Sequence, residues 1–178
     1  MAAPEGQVLF PGEGRLIQGG GLHATLKIPG GPFAAASTFE IRVPPGYDVG
    51  AHVHGHAEEL FFVLAGELTV MAFEPVSRHV ADWRHWVSPN GATPVTVPAG
   101  SVMHVPAGCP HVFANLGPEW VTMLFQSCPG GHERYFEELA ALLRASSGRP
   151  DEQAVIELRT RHDIEQITTL HAPPPVLG

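Results

Sequence analysis

Between Leu22 and Cys128 the chain is cut by Pro and Gly into short apolar runs, and that punctuation constrains the fold more than any other feature. LHATLKI (22–28) and STFEIRV (37–43) alternate apolar with other residues, the period that turns one face of a strand toward a core. PPG at 44–46 then forces a turn. ELFFVL and LTVMAF flank Ala65-Gly66-Glu67 in the pattern of a hairpin. TPVTV, SVMHV, HVFANL and VTMLFQS continue at short intervals, again with Pro or Gly between them. The rhythm predicts an all-β sandwich or barrel.

The period changes after the last of these runs. In PGGHERYFEELAALLRAS, Phe136, Leu139, Leu142 and Leu143 recur at helical spacing, with acidic residues in the early turns and Arg144 near the end. A helix packed on the barrel is expected here, then a second over AVIELRTR with Asp151 as its cap, and APPPVLG as a terminus with nothing to pack against. The reading divides the chain into an N-terminal arm (1–38), a barrel (39–127) and a C-terminal helical extension (128–178). One segment interrupts the rhythm. EPVSRHVADWRHWVSPNGA (74–92) is long for a hairpin loop and reads either as a lid or as an extended hairpin packed on its own aromatics, with loop-length statistics favouring packing.

Composition removes several function classes. A chain of 178 residues with 44% hydrophobic content suits one domain with a real core. Net charge is -8 and the 10 Lys and Arg are scattered, so no basic face is available for a nucleic-acid backbone. The N-terminus lacks a basic leader with an apolar stretch behind it, and nowhere do apolar residues run long enough to span a bilayer, so a cytoplasmic protein without membrane contact is expected. Cys109 and Cys128 are too few for a disulfide scaffold and are expected to be free thiols.

The chemistry concentrates in GYDVGAHVHGHAEELFFVLAGEL (46–68). On a strand His52, His54 and His56 point to one face, and side chains two apart can converge on a single ion. Glu59 has the opposite parity, so only a turn near Gly55 and Ala57 can bring it back to that face. Imidazole nitrogen with carboxylate oxygen makes a site for one divalent transition metal such as Fe, Ni, Co, Mn, Cu or Zn, with a further ligand required from elsewhere. A second cluster, GSVMHVPAGCPHVFAN, spaces Gly100, Pro106, Gly108, His111 and Asn115 as G-x5-P-x-G-x2-H-x3-N. The first reads Gly46-x5-His52-x-His54-x4-Glu59-x6-Gly66.

Together these stretches resemble the two signature motifs of the cupin superfamily, with every defined position filled. The resemblance implies a double-stranded β-helix, a small jelly-roll barrel, that gathers His52, His54, Glu59 and His111 around one metal ion. His56 reads as a fifth ligand or as a cover for the barrel mouth, and the pattern favours the second because it does not require the residue. Glu58 competes with Glu59 for the carboxylate role, but the interval to Gly66 favours Glu59 and leaves Glu58 as a solvated neighbour. His104 reads as an orienting partner of a ligand or as a satisfied core histidine. Phe61, Val63, Phe113 and Met123 are expected to line the barrel.

CPGGHERYFEELAALL resembles the C-terminal extension of single-domain quercetinase-like (flavonol dioxygenase-like) cupins. That resemblance implies a metal-dependent dioxygenase acting on a small enolic or phenolic substrate, with Glu59 both ligand and general base. A redox-neutral isomerase or polyketide cyclase, and a binding protein without turnover, are the alternatives. A single small barrel leaves open sheet edges, and the expectation is a homodimer with residues 7–28 in its interface.

Overall fold

The computed structural model describes residues 5–19, 21–32, 34–146 and 151–171. Its strands, in chain order, are β1 (Arg15–Gly19), β2 (Leu22–Ile28), β3 (Ser37–Val43), β4 (His52–Val53), β5 (Glu58–Ala65), β6 (Glu67–Ala72), β7 (Val95–Pro98), β8 (Val102–Val105), β9 (His111–Ala114), β10 (Val121–Cys128) and β11 (Glu165–Gln166). Two helices, α1 (His132–Ala145) and α2 (Glu152–Arg161), precede β11. The strands form a six-stranded sheet, ordered β1-β2-β3-β10-β5-β8, and a five-stranded sheet, ordered β11-β4-β9-β6-β7. Every strand pairing is antiparallel. This is the double-stranded β-helix, and β1 and β2 extend one of its sheets.

Register explains where the core sits. β10 sets Phe125 opposite both Phe39 on β3 and Phe61 on β5, and Met123 opposite Ile41 and Val63. The three phenyl rings stack, with centroids 5.6 Å (Phe39–Phe125) and 5.0 Å (Phe61–Phe125) apart. Leu68, Val70 and Phe113 face them from the second sheet, all buried. Cross-strand pairing of aromatic and branched residues on one face is what stabilises such a sheet.

The hairpin expected at Ala65-Gly66-Glu67 does not form. β5 pairs with β10 and β8, whereas β6 pairs with β9 and β7, so the chain turns a corner from one sheet to the other. Gly66 has φ of +82°, and a Cβ there would meet Val121 Cγ2 at 2.9 Å. The alternation on either side suits hairpin and corner equally, and the long-range partners decide between them.

The helical extension closes one end of the barrel. Ser37 Oγ accepts from the Gly131 amide at 2.8 Å and donates to the Glu133 carboxylate, which fixes the start of α1 to β3. Phe136 meets Phe39 edge-on at 5.2 Å, and Tyr135, Leu158 and Ile164 form a small second core with Leu139 and Leu142. Asp151 stands at the N-terminus of α2, but its side chain makes no capping hydrogen bond. The APPPVLG terminus lies outside the described residues.

Residues 74–92 pack on the barrel. Trp83 and Trp86 are buried, Trp83 Nε1 donates to Asp48 Oδ2 at 2.9 Å, and Trp86 Nε1 donates to the Val80 carbonyl at 2.7 Å. None of these residues lines the cavity at the histidine cluster. Cys109 and Cys128 are free thiols.

Candidate metal centre

Three strands deliver the site. His52 on β4 lies directly opposite His111 on β9, and their rings are 4.2 Å apart. His54 follows just beyond β4, and the turn through Gly55 and Ala57 leads into β5, which returns Glu59 to the same interior. The parity problem posed by the sequence is thus solved by the turn. Each of the four side chains offers one ligand atom, these atoms lie within 4.8 Å of one another, and all four residues are buried. The cluster can hold a metal ion.

The hydrogen bonds around the cluster support that fit. Nδ1 of His52 meets the Gly50 carbonyl at 2.9 Å, and Nδ1 of His111 meets the Cys109 carbonyl at 3.0 Å. A carbonyl only accepts, so in each ring Nδ1 carries the proton and the neutral Nε2 keeps its lone pair. His111 Nε2 nevertheless lies 3.0 Å from Glu59 Oε2, which sets two acceptors face to face. His54 Nε2 and Glu59 Oε1, 3.3 Å apart, are buried without hydrogen-bond partners among the described residues. A cation between these lone pairs satisfies all of them, and three imidazoles with one carboxylate suit a divalent transition metal.

Electrostatics favour the ligand forms. Burial, and then the imidazoles of His111 and His54, hold His52 well below the ordinary histidine range. Burial lowers His54 too, against the opposing pull of Glu59. For Glu59 burial works to raise the pKa, but the close approach of His111 and the neighbouring His54 and His132 outweigh it, and the carboxyl is held below its usual value. Neutral rings and an ionised carboxylate are what a metal requires.

The remaining sequence candidates fall outside the cluster. Glu58 is exposed on the outer face of β5, near His104 at 3.8 Å. The two expectations for His104, ligand partner or core residue, are both corrected. β8 pairs with β5 so that Val105, opposite Glu59, points inward, and its neighbour His104 therefore points to solvent. His56 is also exposed and is no ligand; its amide donates to Asp163 Oδ2 at 2.8 Å and its Nδ1 lies 3.1 Å from Oδ1, tying the Gly55 turn to the segment after α2. Phe61, Phe113 and Met123 line the cavity beside the cluster as expected, while Val63 is buried in the core without reaching it.

The sequence reading passed over the helical wall of this cavity. His132, at the start of α1, places Nδ1 3.9 Å from Glu59 Oε1 among the rings of Phe125, Tyr135 and Phe136. Burial first, partly opposed by Glu59, lowers its pKa to about 4, so the ring is neutral near pH 7. Tyr135 and Arg159 line the same cavity. The available signal was Pro129-Gly130-Gly131 after the last barrel strand, a turn that brings the first residue of the next helix over the barrel end.

The sequence matches the family described as Cupin over residues 24–147, more than half of the chain. The chain belongs to the cupins. Among solved structures, this cupin is similar to an uncharacterised conserved protein with a double-stranded β-helix domain from Klebsiella pneumoniae (17% identity, 71% of this chain and 93% of that one, TM-score 0.47). A predicted oxalate decarboxylase from Thermotoga maritima is similar at 21% identity over 61% of this chain and 80% of that one, with TM-score 0.45. A sugar phosphate isomerase from Silicibacter pomeroyi is similar at 17% identity over 61% and 59%, with TM-score 0.44. The family assignment rests on the sequence match and not on these superpositions. No curated protein matches this cupin significantly.

Proposed function

We propose that this cupin is a metal-dependent dioxygenase acting on a small enolic or phenolic compound. The observation that carries the reading is the opening of a three-histidine, one-carboxylate cluster into a cavity walled by Phe61, Phe113, Met123, Phe125 and Phe136. His52, His54, Glu59 and His111 would hold one divalent transition metal, which supplies Lewis acidity toward an enolate and redox chemistry with dioxygen. Glu59 accepts the substrate's hydroxyl proton on its carboxylate, which is buried beside the ligand histidines. The phenylalanines exclude water and offer ring faces to a planar substrate. The cavity is about 50 Å³, so a ring-sized substrate requires its walls to yield.

Elemental analysis of protein purified without added metal, combined with oxygen uptake over a panel of phenolic and enolic compounds, tests the reading. Bound metal and substrate-dependent oxygen uptake are expected. Conversion without oxygen uptake would mark a redox-neutral isomerase or cyclase, and binding without conversion a binding protein; either result defeats the dioxygenase reading. Glu59→Gln keeps a carbonyl oxygen for the ion but cannot take a proton, so turnover should fall by about 10²–10⁴-fold with a much smaller loss of metal. Glu58→Gln, on the outer face, should change neither.

A further inference from the structure

The helical wall of the cavity contains a cation without a counter-charge among the described residues. Arg159, in the last turn of α2, is only 4% exposed, and its Nε donates to Tyr135 Oη at 3.1 Å. That is the side chain's one hydrogen bond among the described residues, and no carboxylate lies within ion-pairing distance of it there. Arginine stays charged when buried, and a buried charge without a partner is a costly arrangement for a fold to keep. If Arg159 served only to hold the Tyr135 hydroxyl, an uncharged donor would do so without that cost.

Arg159 lines the cavity that His52, His54 and Glu59 also line. Tyr47, buried and lining the same cavity, lies within electrostatic reach of both Tyr135 and Arg159. Arg159 and Tyr135 on the helices, with Tyr47 from the loop after β3, are hydrogen-bond donors, which suits this part of the cavity to an anion.

We infer that the substrate is an aromatic or enolic carboxylic acid, whose carboxylate is bound by Arg159 and Tyr135 while its hydroxyl faces the metal ligands. The inference rests on the reading of this cavity as the substrate site, and it adds the charge of the substrate. A carboxylate is favoured over a phosphate on two grounds. Its two coplanar oxygens match the guanidinium fork, and one cation neutralises one negative charge, whereas a phosphate dianion would leave charge unpaired in an apolar cavity.

Calorimetric titration of the metal-loaded protein with 2,3-dihydroxybenzoate, catechol and phenyl phosphate tests it. The carboxylate compound should bind at least tenfold more tightly than catechol, and more tightly than phenyl phosphate. In Arg159→Gln the ratio of dihydroxybenzoate to catechol affinity should fall close to one, and Arg159→Lys should restore part of it. Thermal denaturation checks that each variant is folded, and the parent protein's ratio stands whether or not they are. Repeating the titration with salicylate and phenol on metal-free protein separates the two readings, because the anion preference should persist without metal even if no oxygenase activity exists. Equal affinities for acid and phenol in the parent protein would overturn the inference, and so would tighter binding of phenyl phosphate.

Discussion

His52 and His54 show how far a few side chains can depart from their solution chemistry. Both are held below the ordinary histidine value, chiefly by burial, so protons compete poorly for them. A depressed folded-state pKa means that protonation, and with it release of a bound metal, is displaced to lower pH. Metal content should therefore stay level as the pH falls from 7.5 through roughly 6.5, the usual histidine midpoint, and drop only in more acid solution. Equilibrium dialysis at a series of pH values with elemental analysis of the retentate measures this. Loss that follows an ordinary histidine titration would show that burial does not protect the site.

The element that holds this geometry in place is the C-terminal segment. β11 pairs with β4, the Ile167 and Thr168 amides donate to the Ala51 carbonyl, and Thr168 Oγ1 accepts from the Ala51 amide at 2.8 Å. Gly50 makes the close approach possible, because a Cβ there would meet Gln166 Nε2 at 2.4 Å and the Thr168 carbonyl at 2.5 Å, and its φ is +70°. The same residue supplies the carbonyl that fixes the His52 tautomer. Gly50→Ala adds backbone strain to a collision and should cost about 2–4 kcal/mol, read as a lower urea midpoint with unchanged slope. Metal affinity should fall with it, since β4 carries His52. A stability change within about 0.5 kcal/mol would mean that β11 docks more loosely than its contacts imply.

At the scale of the molecule, two sheets and a helical roof enclose the cavity, and β1 is one of the two outermost strands of the larger sheet. Its free edge carries unpaired backbone groups, Leu16 on the strand is exposed at 54%, and Phe10, ahead of it in the chain, at 67%. Such an edge is a template for pairing with another chain unless it is covered. Association of two copies through residues 7–28 would cover it, and light scattering at micromolar concentration should report a dimer. A monomer under those conditions would exclude that assembly. Among the described residues no helix is long and apolar enough to cross a membrane.

Strand rhythm, the helical extension and the four clustered side chains were legible in the sequence because each is a property of spacing along the chain. Period-two alternation shows which face of a strand is buried, and the two motifs name His52, His54, Glu59 and His111 before any distance is known. Other features depend on which elements meet. The turn at Gly66 joins two sheets instead of closing a hairpin because β5 and β6 find different partners. His104 faces solvent because β8 pairs with β5 in a register that points Val105 inward. His132, Tyr135 and Arg159 reach the cavity only because α1 and α2 close over the barrel end, and their helical spacing carries no record of that placement. Local pattern fixes which side of an element is buried, whereas the identity of what lies against it comes from contacts between residues far apart in the chain, which tertiary packing alone creates.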